Sequence, residues 1–221
     1  TRRITVACEA PSDIAAFSVG VQHTCAQSRD GKLWCWGVNL DGTLGDGSGD
    51  TQPFPVQVAF ERPEEIAQFV AGNTNTCALR KSGELSCWGD NDFGQIGTGV
   101  KTEEPILTPA KVAITADIAE VSAAGSYTCA RKRDGSVWCW GVNTLGQLGL
   151  GTVDDQPHPT PARVLTLWRS VTSLSAGTDH VCVQKSNGAL WCWGNNAFGQ
   201  LGNGKTTPEI TAKPVKVALT C

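Results

Sequence analysis

The cysteines are the residues of this chain whose number and spacing point most directly to chemistry. The chain has 10 cysteines among 221 residues, and most of them recur in pairs with the spacing Cys-x9-Cys-Trp. The pairs are Cys25 with Cys35, Cys77 with Cys87, Cys129 with Cys139, and Cys182 with Cys192, while Cys8 and Cys221 fall outside the pattern. Structural zinc sites draw their ligands from Cys-x-x-Cys knuckles or paired histidines, and neither spacing occurs here. We therefore expect disulfides and no metal.

Patterns for catalysis or calcium binding are weaker. His23 and His180 occupy the same repeat position, and His158 lies in a Pro-rich loop, with no candidate nucleophile beside any of them. The sequence therefore predicts no catalytic triad or general base. The Asp/Gly-rich stretch 41–50 lacks the Asp-x-Asp-x-Asp spacing and terminal Glu of an EF-hand, which favours a plain loop. We expect neither enzyme activity nor a cofactor.

The cysteine pairs belong to a longer repeat. Each continues as Trp-Gly and then as Asn-x-x-Gly-x-(Leu/Ile)-Gly, and Trp36, Trp88, Trp140 and Trp193 lie 52, 52 and 53 residues apart. This period is typical of propellers and repeat arrays, and no segment shows helical spacing of apolar residues. The chain is predicted to be a single all-β propeller-type domain, 1–221, built from four-stranded antiparallel blades. The blade repeats are predicted at about 6–57, 58–111, 112–163 and 164–219.

Each unit is predicted to contain four strands. In the second unit these cover 55–60, 66–71, 77–80 and 84–88, and the last two flank the tip 81–83. A three-residue tip that ends in Gly is typical of a type I turn closed by a G1 bulge. Counting outward from the tip 29–31, Cys25 faces Cys35 in a non-hydrogen-bonded pair, where side chains approach closely. The same count in all four units predicts one disulfide within each hairpin.

The other repeated residues are interpreted as structural. Trp36, Trp88, Trp140 and Trp193 are expected in the core between blades, and packing is also favoured for Trp34, Trp138 and Trp191. Asn39, Asn91, Asn143 and Asn196 each precede a Gly by three residues, which suits a turn that binds its own backbone.

With these motifs the chain resembles the regulator of chromosome condensation family, whose repeats are also called alpha-tubulin suppressor repeats. The resemblance rests on Ala-Gly-x-x-His-(Thr/Val)-Cys and Trp-Cys-Trp-Gly-x-Asn-x-x-Gly-Gln-Leu-Gly, and it covers nearly the whole chain. The chain looks most like the disulfide-bearing bacterial secreted branch. The resemblance implies a β-propeller, usually of about seven blades, whose loops bind other proteins. This chain departs from that number because it holds only four repeats.

The two ends of the chain share one more sequence feature. Residues 6–11 align without a gap to 58–63, and 217–219 align to the beginning of the same segment, so Cys8 and Cys221 both lie at or near copies of one outer strand. Three arrangements follow. In the first arrangement, which we favour, a Cys8–Cys221 disulfide closes a four-bladed ring. In the second, the terminal strands pair with other chains, and in the third, the four repeats belong to a longer array.

The charged residues are distributed unevenly along each repeat. Alternating strands place the long loops after each Asn-x-x-Gly motif on one side, and the hairpin tips and blade links on the other. The long loops contain many carboxylates and few lysines, so one face is expected to be acidic and to bind a partner. The acidic residues predicted to bind the partner are Asp41, Asp46, Asp50, Asp90, Asp92, Glu103, Glu104, Asp154 and Asp155. The tips hold Arg29, Lys32, Arg80, Lys81, Arg131, Lys132, Arg133 and Lys185.

The amino-acid composition indicates the cellular compartment of the protein and the class of its partner. Ten cysteines indicate an oxidising compartment, and the absence of methionine predicts a processed chain that has lost its signal peptide. A net charge of −3 argues against nucleic acid, and no apolar run is long enough to insert into a membrane. We expect an extracellular, periplasmic or cell-surface protein that binds another protein without catalysis. The alternatives are a structural subunit that self-associates through its terminal strands and an inhibitor of a secreted enzyme. Glycan binding through Phe54, Phe93 or Phe198 also stays open.

Overall fold

The computed structural model describes residues 11–60, 65–167, 170–205 and 210–218, which form four separate four-stranded antiparallel sheets. The first sheet contains β1 (Ile14–Val19), β2 (His23–Ser28), β3 (Leu33–Gly37) and β4 (Gln52–Gln57). The second contains β5 (Ile66–Ala71), β6 (Asn75–Arg80), β7 (Leu85–Gly89) and β8 (Ile106–Lys111). The third contains β9 (Ile118–Ala124), β10 (Tyr127–Lys132), β11 (Val137–Gly141) and β12 (His158–Arg163). The fourth contains β13 (Val171–Ala176), β14 (His180–Lys185), β15 (Leu190–Gly194) and β16 (Thr211–Lys216).

Strands in each sheet follow one another in chain order. A short 3₁₀ helix, Leu165–Leu167, lies between the third and fourth sheets. No helix in the described ranges is long and apolar enough to cross a membrane. Prolines occur in the last strand of every sheet, for example Pro53 and Pro55 in β4. This is an edge position, where a missing backbone N–H leaves no ladder hydrogen bond unmade.

The hairpin register agrees with the count made from the tips. Cys25 pairs with Cys35 and Ala26 with Trp34, and the other three hairpins repeat this register. The last residue of each tip has a positive φ, as at Gly31 (φ 90), which is the conformation that a G1 bulge requires. The structure links the same four cysteine pairs that the spacing predicts, each with a Cα–Cα distance of 4.1 Å. That distance is close to the roughly 4.5 Å of a non-hydrogen-bonded pair.

The prediction for the outer strand is wrong in two respects. The strand expected at 55–60 begins earlier, at Gln52, and it pairs with β3 of the preceding hairpin rather than with the strands of the second unit. The physical reason is that the backbone N–H and C=O groups on the outer edge of β3 need partners, and β4 supplies them before the chain enters the next blade. After β4, the amide of Val58 still donates a hydrogen bond to Leu33 O, whereas the amide of Ala59 donates to Gly45 O in the long loop.

Hydrophobic core lies between consecutive sheets rather than within one of them. Three buried clusters join the first sheet to the second, the second to the third and the third to the fourth. Trp88, Trp140 and Trp193 are completely buried in these clusters, which confirms their expected packing role. Trp36 is only half-buried, because no described sheet covers the outer side of the first sheet.

The predicted closure of the four blades into a ring is wrong for this structure. Phe17 in β1 is 73% exposed, whereas the residues at the same repeat position, Phe69, Val121 and Leu174, are 9%, 2% and 5% exposed. A closed ring would cover Phe17 with the fourth sheet. The four sheets therefore form an open arc. Cys8, Cys221 and most of the aligned terminal segments lie outside the described residues.

Candidate functional site

The long loops between the third and fourth strands of each sheet are organised by the repeated asparagine. Asn39 Oδ1 accepts the Leu44 amide at 2.9 Å, and its Nδ2 donates to Ser48 O at 2.8 Å. Asn91 and Asn143 bind their own loops in the same way, to Ile96 and Val100 O and to Leu148 and Thr152 O. All four repeated asparagines are buried, and these hydrogen bonds hold the loops in place.

Each of the first three loops also rests on the next sheet. The amide of Gly47 donates to Leu107 O, that of Gly99 to Pro159 O, and that of Gly151 to Ala212 O, at 2.8–3.0 Å. These contacts connect the loop of one sheet to the outer strand of the following sheet. The loops therefore form one continuous, internally bonded surface.

Three of the nine predicted acidic residues are structural. Asp46 accepts hydrogen bonds from Asn39 and Ser48, and Asp90 accepts them from Thr74, Gln95 and the Asp92 amide. Asp154 accepts from Asn143 and contacts His158 Nε2 at 2.7 Å. Desolvation opposes these hydrogen bonds to Asp154, but together they hold its pKa below the usual value. These three carboxylates therefore stabilise the long loops.

The other six predicted residues point to solvent. They are Asp41, Asp50, Asp92, Glu103, Glu104 and Asp155. The structure brings Asp41 of the first loop near Asp90 and Asp92 of the second: partial desolvation raises the pKa of Asp41, and the two neighbouring negative charges raise it further. No group of three or more His, Cys, Asp or Glu side chains in the described ranges is arranged to hold a metal ion.

The hairpin-tip side of the protein is less positively charged than its basic tip residues alone indicate. Three of the basic tip residues pair with carboxylates at the start of the same blade: Arg29 with Asp13 at 2.9 Å, Lys81 with Glu65 at 3.8 Å, and Arg133 with Asp117 at 3.3 Å. Lys132 and Lys185 lie over the rings of Trp138 and Trp191, at 5.0 and 4.5 Å from the ring centroids. The tip side is therefore mixed in charge.

Sequence reasoning missed a line of polar contacts across the sheet junctions. His23 Nε2 lies 2.8 Å from Thr76 Oγ1, and Asn75 Nδ2 donates to Thr128 Oγ1 at 3.0 Å, in each case across one junction. Tyr127 Oη replaces this contact at the third junction and donates to the carbonyls of Gly177 and His180. The shared repeat position of His23, Asn75, Tyr127 and His180 was the available signal, but only the stacking of the sheets shows what it contacts.

Known proteins resemble this chain over nearly its whole length. The family model described as the RCC1-like domain matches residues 2–220. The ultraviolet-B receptor UVR8 of Arabidopsis thaliana is 30% identical over 206 residues, which are 93% of this chain and 47% of that protein. The probable E3 ubiquitin-protein ligase HERC3 of Homo sapiens is 32% identical over 210 residues, which are 92% of this chain and 19% of that protein.

Solved structures share the fold. Yeast RCC1 (Prp20), solved with Kap60, superposes with a TM-score of 0.83 at 20% identity over 96% of this chain and 51% of that chain. Human WBSCR16 gives a TM-score of 0.81 at 19% identity, over 93% of this chain and 53% of that chain. The chain thus spans about half the length of these proteins. Its four sheets are blades of a β-propeller, and the chain belongs to the RCC1-like domain family.

Proposed function

We propose that this chain is a secreted, non-catalytic protein-binding propeller domain that recognises a basic protein surface through its long-loop face. The observation that carries the proposal is the cluster of exposed carboxylates on loops that are fixed by buried asparagines and by contacts with the next blade. Because the loops are held in place before binding, a partner does not have to order them, and this preserves affinity.

Location outside the reducing cytoplasm is supported by the four hairpin disulfides, since disulfides persist in extracellular, periplasmic and cell-surface environments. Protein binding is supported by membership of the RCC1-like domain family and by yeast Prp20p, a protein with the same fold that binds Gsp1p and histones.

The proposal is tested with a lysine-rich probe peptide, whose binding is followed by fluorescence anisotropy at low and high salt. We compare the protein with a triple variant of the loop face, Asp41→Asn, Asp92→Asn and Glu103→Gln. Exposed ion pairs contribute a few tenths of a kcal/mol each, so the variant should bind about fivefold more weakly at low salt and show little difference at high salt.

A matched triple variant on the hairpin-tip side serves as the control: Asp13→Asn, Glu65→Gln and Asp117→Asn. It removes the same number and types of charge from the other face and should leave affinity unchanged. Equal loss in both variants would show that only net charge matters, and no loss in the loop variant would remove the loop face as the site.

A further inference from the structure

We propose that Asn187, at the tip of the fourth hairpin, is a site of spontaneous deamidation in the folded protein, so that the tip side gains a negative charge as the protein ages. The modification needs no enzyme, and its only co-reactant is water. The inference concerns the tip side and is independent of the partner that the loop face binds.

The fourth tip differs from the others in the residue that precedes its glycine. The four tips are Arg29-Asp30-Gly31, Lys81-Ser82-Gly83, Arg133-Asp134-Gly135 and Ser186-Asn187-Gly188. An asparagine followed by glycine deamidates most readily, because glycine has no side chain to hinder attack by its backbone nitrogen on the asparagine Cγ. Among the four tips, only the fourth holds this pair.

Solvent reaches Asn187. Its side chain is exposed, and so are Asp30, Ser82 and Asp134 at the same position of the other tips. Each of those three tips belongs to a sheet that is followed by another sheet. Exposure is therefore a property of the middle position of a tip, whether or not a further blade follows the fourth.

The side chain of Asn187 is activated by its own turn. Asn187 Oδ1 accepts the Ala189 amide at 3.1 Å. This hydrogen bond withdraws electron density from Cγ, and it stabilises the negative charge that develops on Oδ1 when a nucleophile attacks. The nucleophile is the next backbone nitrogen, that of Gly188.

One hydrogen bond restrains that nitrogen. The amide of Gly188 donates to Lys185 O at 2.8 Å, and this bond must open before the attack. The opening is confined to the turn, because the Cys182–Cys192 disulfide and the strand ladder hold the hairpin together below it. Losing one such bond should make the reaction about tenfold slower in the folded protein than in the unfolded chain.

The reaction has two steps. Gly188 N loses its proton to solvent base and forms a bond to Asn187 Cγ; the Cγ–Nδ2 bond breaks, and Nδ2 leaves as ammonia, which gives a succinimide. Water then adds to one carbonyl of the succinimide and breaks its bond to the nitrogen. The product is aspartate or isoaspartate, and nothing is oxidised or reduced.

The aspartate product fits a tip that the protein already builds twice. Asp30 Oδ1 accepts the Lys32 amide at 3.3 Å, and Asp134 Oδ1 accepts the Ser136 amide at 2.9 Å, which is the contact that Asn187 makes with the residue two positions on. An aspartate at position 187 therefore keeps the turn and adds only charge.

Ion-exchange chromatography and peptide mapping by mass spectrometry test the proposal. The folded, disulfide-bonded protein is incubated at mildly alkaline pH in ¹⁸O-labelled water, beside the reduced, unfolded chain. An acidic species should accumulate that elutes with the variant Asn187→Asp, and the peptide that contains Asn187 should carry the labelled oxygen. The rate should rise with pH, because the attacking nitrogen must lose its proton.

The control variant is Asn187→Ser, which takes the residue of the second tip and should not form this species. The second Asn-Gly pair, Asn203-Gly204, falls on a long loop and is followed in its own peptide. An acidic species that persists unchanged in Asn187→Ser would overturn the proposal. So would a reaction at Asn187 that is more than about a hundredfold slower in the folded protein than in the unfolded chain, since the tip would then protect the residue.

Discussion

At the scale of single residues, the junctions between blades depend on a few buried polar contacts. His23 is the clearest case: burial lowers its pKa from 6.5 to about 4, and the neutral ring contacts Thr76 Oγ1. Because the pKa in the folded protein lies below that of the unfolded chain, protons bind preferentially to the unfolded chain. The stability contribution of neutral His23 is present above about pH 6.5 and is lost as the pH falls toward 4.

We predict that His23→Asn removes this pH dependence, because Asn75 makes the equivalent contact at the next junction without titrating. The free energy of unfolding of the unmodified protein should fall between pH 6.5 and 4 by up to about 3 kcal/mol more than that of the variant. Urea unfolding at several pH values measures the difference. Identical pH profiles for the two proteins would show that His23 does not titrate with folding.

A second prediction concerns the buried indole. Trp140→Phe removes the hydrogen bond to Gln95 O and leaves a gap in a fully buried site, so it should destabilise the protein by about 2 kcal/mol. Trp36→Phe is the control at the same repeat position, where the ring is half-buried, and it should cost less than about 1 kcal/mol. Denaturant midpoints of the two variants at low protein concentration provide the comparison.

At the scale of the elements, the disulfide hairpin is the best-defined unit of the blade. Replacing Cys77 and Cys87 together by Ala should lower the free energy of unfolding by about 2 kcal/mol, because the short closed loop is released in the unfolded chain. The blade should still form, since both strands keep their backbone ladder. Retained far-ultraviolet circular dichroism with a lowered denaturation midpoint is the expected result; loss of the β signal would show that the bridge is needed for folding.

The hairpins could be predicted from the sequence because their information is local. A glycine-closed tip fixes the register, and the register places the cysteines opposite each other. The outer strand could not be assigned in the same way, because β4 contains two prolines and pairs only after a long loop. The sequence also does not show which carboxylates are hydrogen-bonded within the loops and which are exposed. Asp90 and Asp92 are two residues apart, but only the folded loop shows that Asp90 accepts hydrogen bonds and that Asp92 is exposed to solvent.

At the scale of the whole molecule, four blades form an open arc whose stability comes from three junctions rather than from one central core. Such an array should unfold through nearest-neighbour interactions, with the end blades less protected than the middle ones. In the 221-residue chain, hydrogen exchange should therefore be slower in β6 and β10 than in β2 and β14. Uniform protection across the four sheets would indicate that the end blades are stabilised by contacts beyond these junctions.

Peptide mapping of the unreduced protein, recovered from the medium, periplasm or surface of its own cells, is the most direct test that the chain is a disulfide-stapled propeller of an oxidising compartment. The digest should contain four linked pairs, Cys25 with Cys35, Cys77 with Cys87, Cys129 with Cys139, and Cys182 with Cys192. Links between different hairpins would contradict the blade register. Free thiols at these positions, or protein found only in the reducing cytoplasm, would contradict secretion.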